Sequence, residues 1–591
     1  MPSADFYTIQ RKEATAFIFS LLLLLIFKHI FYLGIVHDAQ LYAADLFRTK
    51  GLAPQDLLSL NPQQNGSLFK QVFRPLLHLL SIDTLFYSGY LLFSLLNFIL
   101  SLLLLRRLLH CNFYLTLLFN FIFNSITWEI LSTTITQNEP FFTVRPVAFF
   151  LIQLALYLAI FPAANKKQVF LWWSAFCAML SFSFHPITAV YFLPVYLLFL
   201  KKNLFSIVFG ALCGLSPFLL QLLFSTPSCV THSYLQGIFS HELIDLVVHK
   251  NQYLFPSTWN SLSITKLFST FALLFTLSFL YRKTLFGKIA IITALLCGIP
   301  VVLNIIFDQF DVYNKFLVSV QPLRAFSILN LYLYLLLAIW VTDTTPGLPP
   351  PFLRAVTFFI FIVLRFCVPM EVTVLLIAAM VLWTTVPRMR IYNTGWNIAT
   401  GFITILACNH IIPTFNRYGL PNHPVFFFLG IGLAATLFVF RNKEMHILSF
   451  AFIIVVPLQI MNNLQYARLF TFSKHSTAVV TALQPFVPAA STIVYLAGRN
   501  RPHLDLSRFR ISSDRYRVYW NTTSDRAPAC FSAAYSREYL RRETLVNHYG
   551  YADTSTVRLL HFLKKEHIDY VISVKERPLE LVTKFNSTLL S

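Results

Sequence analysis

About fifteen long apolar stretches run along this chain, and short clusters of basic residues separate many of them. Segments such as 16–35, 84–105 and 204–224 have the roughly 20 apolar residues that a helix needs to cross a hydrocarbon core about 30 Å thick. Because lipid offers no partners to backbone polar groups, these stretches are expected to form helices. The sequence therefore predicts an α-helical, multi-pass membrane protein with about fifteen spans.

The basic residues predict how the chain is oriented in the membrane. They form pairs at the ends of apolar stretches: Arg106 and Arg107, Lys166 and Lys167, Lys201 and Lys202, Arg282 and Lys283, Arg388 and Arg390, and Arg441 and Lys443. Loops rich in Lys and Arg stay in the cytoplasm, so these pairs, with Arg11 and Lys12, place the N-terminus inside. Carboxylates and histidines collect in the opposite loops, which indicates that any chemistry takes place on the outer face.

Composition supports a membrane protein and argues against nucleic-acid binding. Hydrophobic residues make up 56% and charged residues 12% of the 591 residues, and the mean hydropathy is +0.64. The formal net charge of +21 would suit an anionic partner. The Lys and Arg residues lie mostly at the ends of apolar stretches rather than along one face, so no nucleic-acid partner is expected.

The distribution of polar residues predicts two domains. Residues 1–461 carry the apolar stretches, and the outer segments long enough to fold are 36–83, 127–145, 225–265 and 308–322. After about residue 460, Phe and Leu runs give way to Arg, Asp, Tyr and Ser, so residues 462–591 are predicted to form a small soluble α/β domain. An odd number of spans places this tail on the outer side.

The tail is expected to combine short strands with basic helices. Strands are predicted at 491–496, 516–520 and 570–574, and helices at 536–549 and 555–567. The basic excess of the tail comes from Arg508, Arg510, Arg515, Arg517, Arg541 and Arg542. These arginines are expected either to be solvated or to face anionic lipid head groups or an anionic substrate.

The first candidate site is the segment His37-Asp38-Ala39-Gln40-Leu41-Tyr42, which follows directly on the first apolar stretch. Asp38 is expected where the first span meets the outer water layer. Partial desolvation there would raise the pKa of its carboxyl and suit it to general-base work. Asp45 follows on the same face if the segment is helical. The alternative is that both aspartates only solubilise a helix end or cap the next helix.

The second candidate group lies in the outer segment before the fourth span. It reads Gln137-Asn138-Glu139-Pro140-Phe141-Phe142-Thr143-Val144-Arg145-Pro146, so two prolines restrict the backbone around a carboxylate and a guanidinium. Arg145 and Glu139 are expected to approach the same outer cavity as Asp38, where the guanidinium fork suits phosphate or carboxylate. Alternatively, Glu139 and Arg145 form an internal ion pair that fixes the loop.

Two further polar groups are expected at outer span ends. His185 precedes Pro186, and Arg324 closes the segment Gln321-Pro322-Leu323-Arg324. Ionisable groups at a membrane boundary are costly, so they are functional candidates unless they pair with one another.

Together these features resemble the GT-C class of membrane glycosyltransferases. The resemblance rests on an outward aspartate after the first span, a long first outer loop, many short spans and a C-terminal soluble domain on the same side. A group of bacterial multi-pass membrane proteins with the same outward motif is also similar, over the segments 37–42, 139–146, 185–186, 254–259, 321–325 and 510–515. This second resemblance covers nearly the whole chain.

The resemblance implies a reaction and roles for the candidate residues. Asp38 would deprotonate an acceptor hydroxyl, which attacks the anomeric carbon of a sugar carried by a polyprenyl phosphate. Glu139 is a second catalytic candidate, and the substrate-binding candidates are His37, Tyr42, Asp45, Arg145, His185 and Arg324. Among these, Arg145 or Arg324 would bind the lipid phosphate that is released. GT-C enzymes can also hold a divalent metal near this aspartate, although the chain has no second Asp next to Asp38 and no Trp-Trp-Asp motif in its tail.

The expected function is therefore transfer of a sugar from a lipid-linked donor to an outer-face glycan, lipid or protein. The expected location is the inner membrane of a bacterium, with the N-terminus in the cytoplasm and the tail in the periplasm. Two other functions remain open, namely a transporter or flippase of lipid-linked glycans and a non-catalytic protein of envelope assembly. Transport favours polar groups at mid-bilayer and broken helices in paired repeats, whereas here the charges collect at outer span ends.

Overall fold

The computed structural model describes the chain in separate ranges. These are residues 11–36, 38–47, 56–60, 68–109, 113–125, 139–163, 166–224, 254–259, 261–344, 479–488, 491–496, 506–512, 516–521, 533–551 and 556–573, together with residues 111, 244, 354 and 525. Predictions for His37, Arg515, most of the outer segment 225–265 and the basic pairs after residue 388 lie outside the described residues.

The described part of the membrane domain is helical. Its α-helices are α1 (Arg11–Phe31), α2 (Asp38–Phe47), α3 (Phe69–Phe73), α4 (Ile82–Leu108), α5 (Phe113–Ser125), α6 (Val144–Ile160), α7 (Lys167–Phe184), α8 (Pro186–Val190), α9 (Leu200–Phe224), α10 (Ser261–Leu280), α11 (Leu285–Gln309), α12 (Lys315–Val320) and α13 (Phe326–Thr342). Short 3-10 turns lie at Leu57–Leu60, Arg74–His78, Leu193–Leu198, Pro256–Thr258 and Pro322–Ala325.

Five helical segments of the described residues are long and apolar enough to cross a membrane. They are Glu13–Phe31, Ile82–Leu108, Leu200–Leu220, Leu285–Gln309 and Phe316–Thr342. Four further apolar helices have only 10–17 residues: Phe113–Asn124, Val144–Ile160, Pro186–Leu198 and Thr270–Leu280. The prediction of a helical membrane protein is confirmed, whereas these helices do not confirm the prediction of about fifteen spans.

The distribution of exposed apolar side chains agrees with lipid contact. In α1 the exposed residues Ile18, Leu22, Ile26 and Ile30 recur every fourth position and form one stripe along the helix. In α13, by contrast, nearly every side chain is buried against other helices. An apolar stripe on a peripheral helix around a buried one is the arrangement expected when lipid, not water, surrounds the bundle.

Helices α7 and α9 pack backbone to backbone through two glycines. Gly210 and Gly214 of α9 lie one turn apart, against the carbonyl oxygens of Trp172 and Phe176 of α7. A methyl group at either glycine would lie closer to these carbonyls than van der Waals contact allows. This small-residue spacing is a recurrent device for close helix association in membranes.

Replacing Gly214 with Ala is therefore expected to lower the free energy of unfolding by about 1–3 kcal/mol, the usual cost of overpacking. Gly298→Ala is the matched control. Gly298 also lies within a helix, but a methyl group there would lie 3.6 Å from the ring of Phe271, which is an ordinary van der Waals distance. The melting temperatures of both variants in detergent provide the measurement. Equal stability of the two variants would contradict close packing of α7 on α9.

Neutral polar side chains hydrogen-bond to one another between α4, α5 and α6. Ser101 donates to the side-chain oxygen of Asn120 at 2.6 Å, and Asn124 donates to Ser101 at 2.9 Å. One turn earlier on α4, Gln153 donates to the side-chain oxygen of Asn97 at 2.8 Å. All five residues are buried, so this cluster joins the three helices where lipid offers no partners.

The tail contains a three-stranded parallel sheet. Strands β1 (Thr492–Leu496), β2 (Arg517–Val518) and β3 (Tyr570–Ser573) lie in the order β2-β1-β3. The helices of the tail are α14 (Ser507–Ser512), α15 (Ala533–Tyr551) and α16 (Thr556–Lys565). The small α/β tail and its main elements are thus confirmed, although the predicted strand 516–520 is reduced to two residues and α14 was not predicted.

Four of the six tail arginines singled out in the sequence pair with carboxylates, which favours a structural role for these four. Arg541 pairs with Glu538 and Glu566, and Arg542 pairs with Glu538. Arg508 and Arg510 also bind carboxylates, as described below. A guanidinium group that lies near a carboxylate of the same chain forms charge-assisted hydrogen bonds with it.

Candidate functional site

Three of the predicted residues meet where α2 and α6 begin. Asp38 is the first residue of α2 and Arg145 is the second residue of α6. One amine of the Arg145 guanidinium pairs with Asp38 and the other pairs with Glu139. The structure thus brings together the three side chains that the sequence assigned to one site, and one guanidinium bridges two carboxylates.

Backbone contacts explain how the segment before α6 reaches α2. Gly34, with a φ of 85°, turns the chain after α1, and the N–H of Leu33 donates to the carbonyl of Pro140 at 2.8 Å. Phe142 is completely buried in the same apolar cluster as α2. Its ring fits against Gly89 of α4, where a methyl group would come within 2.6 Å of it.

Thr143 hydrogen-bonds to both Glu139 and Arg145, a role that the sequence analysis did not predict. Its hydroxyl accepts the N–H of Arg145 at 3.2 Å as the N-cap of α6, and donates to Glu139 at 3.0 Å. Thr before the first turn of an apolar helix is a known capping signal, so the position could have been found. The cap orients Glu139 and Arg145 toward each other.

The two carboxylates have different environments. The side chain of Glu139 has no exposed surface, whereas 18% of the Asp38 side chain is exposed. Burial raises the pKa of Glu139, with Asp38 adding to the rise, while Arg145 opposes it. Because Asp38 is the more exposed of the two carboxylates, it is the one that a substrate can reach.

Tyr42 lies one turn along α2 from Asp38. Burial raises the pKa of its hydroxyl, and the charges of Arg145, Asp38, Glu139 and Arg324 also act on it. Its ring packs on Phe69 with the centroids 5.4 Å apart. Tyr42 therefore stays neutral and places an O–H group within the electrostatic field of the site.

His185 lies at the turn between α7 and α8. It caps α8, because its Nδ1 accepts the N–H of Thr188 at 3.3 Å and lies 2.7 Å from the Thr188 hydroxyl. Burial lowers the pKa of His185 well below its ordinary value, and the positive charges of Arg145 and Arg324 lower it further. The imidazole of His185 is therefore expected to be neutral at neutral pH.

Arg324 approaches the site from the turn between α12 and α13. The turn begins at Gln321, whose φ of 51° lies in the left-handed region and costs about 1–2 kcal/mol for a residue with a side chain. Gln321 accepts the Nε–H of Arg324 at 3.0 Å. Among the described residues, no acceptor binds the two terminal amines of Arg324, although the charge acts on Tyr42, Glu139 and His185.

Asp45 of α2 forms an ion pair with another element. Its carboxylate pairs with Lys70, the second residue of α3, at 3.4 Å. This contact between α2 and α3 favours a structural role for Asp45, and its assignment to substrate binding stays a prediction.

A metal is not favoured by the described side chains. No group of three or more His, Cys, Asp or Glu residues is arranged to hold a metal ion within the ranges given above. Asp38 and Glu139 already share the cation of Arg145, which supplies the positive charge that a metal would provide.

Comparisons of this chain with protein-family models, with curated proteins and with solved structures find no match.

Proposed function

We propose that this chain is a membrane glycosyltransferase that moves a sugar from a polyprenyl-phosphate donor to an acceptor on the outer face of a bacterial inner membrane. The acceptor is a hydroxyl of a glycan, a lipid or a protein. In this proposal the basic pairs face the cytoplasm and the tail lies in the periplasm.

The observation that carries the proposal is a partly exposed carboxylate, Asp38, and a guanidinium, Arg324, whose terminal amines bind no acceptor among the described residues. Asp38 is the first residue of α2 and Arg324 lies in the turn before α13, and the charges of both affect the pKa of Tyr42 and of His185. Transfer from a phosphate-linked donor needs a base at the acceptor hydroxyl and a cation at the leaving phosphate. In the proposal, Asp38 is this base and Arg324 is this cation.

The proposed reaction is a single displacement. Asp38 takes the proton of the acceptor hydroxyl as its oxygen forms a bond to the anomeric carbon. The bond from that carbon to the phosphate oxygen breaks, and polyprenyl phosphate leaves with the electron pair. The configuration of the anomeric carbon is therefore inverted.

Arg145 and Glu139 act indirectly in this scheme. Both terminal amines of Arg145 are engaged by carboxylates, so it is poorly placed to bind the phosphate as well. Glu139 has no exposed side-chain surface and cannot touch a substrate. We therefore assign the phosphate to Arg324 and the orientation of Asp38 to Arg145, with Glu139 supporting Arg145.

Transport of lipid-linked glycans is less well supported. A transport path needs polar groups within the apolar helices, and one such group is the cluster of Asn97, Ser101, Asn120, Asn124 and Gln153. Its members are uncharged and hydrogen-bond to one another. Side chains that satisfy each other in this way join helices rather than carry a substrate.

Binding of polyprenyl phosphate to the purified protein tests the assignment of Arg324. The wild type is expected to bind this lipid, and Arg324→Gln is expected to bind it about tenfold or more weakly, because a charge-assisted contact contributes roughly 1.5–3 kcal/mol. Arg324→Lys keeps the charge without the fork and is expected to lie between the two. Native mass spectrometry of lipid titrations gives the affinities.

Transfer is tested in parallel with a radiolabelled polyprenyl-phosphate sugar added to membranes that contain the protein. Label is expected to leave the donor lipid and enter a glycan, lipid or protein fraction. Failure of the wild type to bind the lipid phosphate, or equal binding by Arg324→Gln, would argue against a lipid-phosphate donor at this position.

A further inference from the structure

The short helix α14 of the tail contacts several parts of the molecule with consecutive side chains. Arg508 binds Asp83 at the start of α4, with 2.9 Å between Nη1 and Oδ1. Phe509 is fully buried in the apolar cluster on one face of the tail sheet. Ile511 points away from that cluster and lies among side chains of the membrane domain. Helix α14 is thus where the tail and the membrane domain meet.

Arg510 joins α14 to the first outer segment. Its Nε donates to Asp56 at 2.9 Å, and its two terminal amines bind both oxygens of Asp525. Asp56 also accepts the backbone N–H of Val518 in β2 at 3.0 Å. The two aspartates have no exposed surface, so this is a buried and well-satisfied ion cluster.

The first outer segment is consequently part of the tail's core. Leu57 and Leu58, which follow Asp56, are buried in the same cluster as Val494 of β1 and Tyr535 of α15. Leu41 of α2 packs against this cluster as well. The tail therefore contacts both α2 and the residues that follow α2 in the first outer segment.

Ile511 makes the second contact between the tail and α2. It is 1% exposed and belongs to the buried cluster that contains Ala39 and Ala43 of α2, the helix that begins with Asp38. Helices α14 and α2 are in direct contact. Because buried clusters are close-packed, a change of volume at Ile511 is felt by the side chains of α2 in the same cluster.

We infer that α14 is a positioning element of the Asp38 site, and that Ile511 is the positioning residue through which the tail fixes helix α2. Arg510 holds α14 on the first outer segment, and Arg508 holds it on α4. The catalytic consequence of this contact rests on the proposed transferase function, whereas the contact itself can be measured without it.

Hydrogen exchange of the full-length protein, followed by mass spectrometry, tests the coupling. Ile511→Ala removes the side chain beneath α2, so the backbone amides of residues 38–47 are expected to exchange about tenfold or more faster than in the wild type. Ile493→Ala is the matched control. It deletes the same atoms from a fully buried position of the tail, in a cluster that contains no residue of α2.

The control variant is expected to accelerate exchange in β1 and to leave residues 38–47 near the wild-type rate. If both variants accelerate residues 38–47 equally, or if Ile511→Ala leaves them unchanged, Ile511 has no positioning role. The Val variants at both positions repeat the comparison with a smaller deletion, in case an Ala variant does not fold. Wild-type protein without sugar transfer would refute the proposed function and leave this exchange measurement intact.

Discussion

Asp38→Asn is expected to lower sugar transfer by about 10²–10⁴-fold, or roughly 3–5 kcal/mol of activation free energy, the usual contribution of a general base. The amide keeps the size of the side chain but cannot take the proton of the acceptor. Arg145 remains paired with Glu139, and Asn at the start of a helix caps well, so the protein is expected to fold. The measurement is transfer from a labelled donor at matched protein levels.

Asp45→Asn is the matched control for this variant. It changes the same group on the same helix, but the carboxylate it removes pairs with Lys70 rather than with Arg145. We expect transfer by Asp45→Asn to stay within about twofold of the wild type, because a partly exposed ion pair contributes only about 0–1 kcal/mol. Wild-type transfer by well-folded Asp38→Asn would show that Asp38 is a structural residue, and would favour transport instead.

Arg145→Met is expected to have the largest effect on stability. It leaves Asp38 and Glu139 near each other without their shared cation, and Glu139 has no exposed side-chain surface. Removing one partner of a buried ion pair typically costs about 3–5 kcal/mol, so the melting temperature and the yield of folded protein should fall sharply. Thermal unfolding in detergent provides the measurement.

The double variant Arg145→Met with Glu139→Gln separates loss of charge pairing from loss of packing. It removes the buried charge together with its partner, so most of the lost stability is expected to return. A double variant no more stable than Arg145→Met would mean that packing of the Arg145 side chain, not its charge, stabilises the site. Transfer is expected to remain low in both variants because Asp38 loses its orientation.

The main parts of the candidate site could be predicted from short-range sequence features. Asp38 follows the first apolar stretch directly, and two prolines restrict the segment that carries Glu139 and Arg145. What the sequence left open was whether Arg145 meets Asp38 in a shared cavity or only pairs with Glu139. The structure shows both pairings at once, an arrangement that depends on the three-dimensional approach of α2 and α6.

The contacts of the tail could not be predicted in this way. Asp56 and Arg510 are 454 positions apart, and neither lies in a pattern that names the other. The arginines of the tail therefore suggested a face that is solvated or that binds lipid or substrate, although Arg510 and Arg541 bind carboxylates of the same chain. The number of spans was equally hard to predict, because several apolar stretches form helices of only 10–17 residues.

The burial of Asp56, Leu57 and Leu58 in the tail's core also sets an order of events during synthesis. A ribosome adds roughly 5–20 residues each second, so Arg510 follows Asp56 by about 20–90 s. Throughout that interval Asp56 lacks its partner Arg510, and α2 lacks the helix that packs against it. A chain that stops before residue 525 never completes the cluster around Asp56, and one that stops before residue 507 also lacks the helix that packs against α2, even though every residue of the Asp38 site has been made.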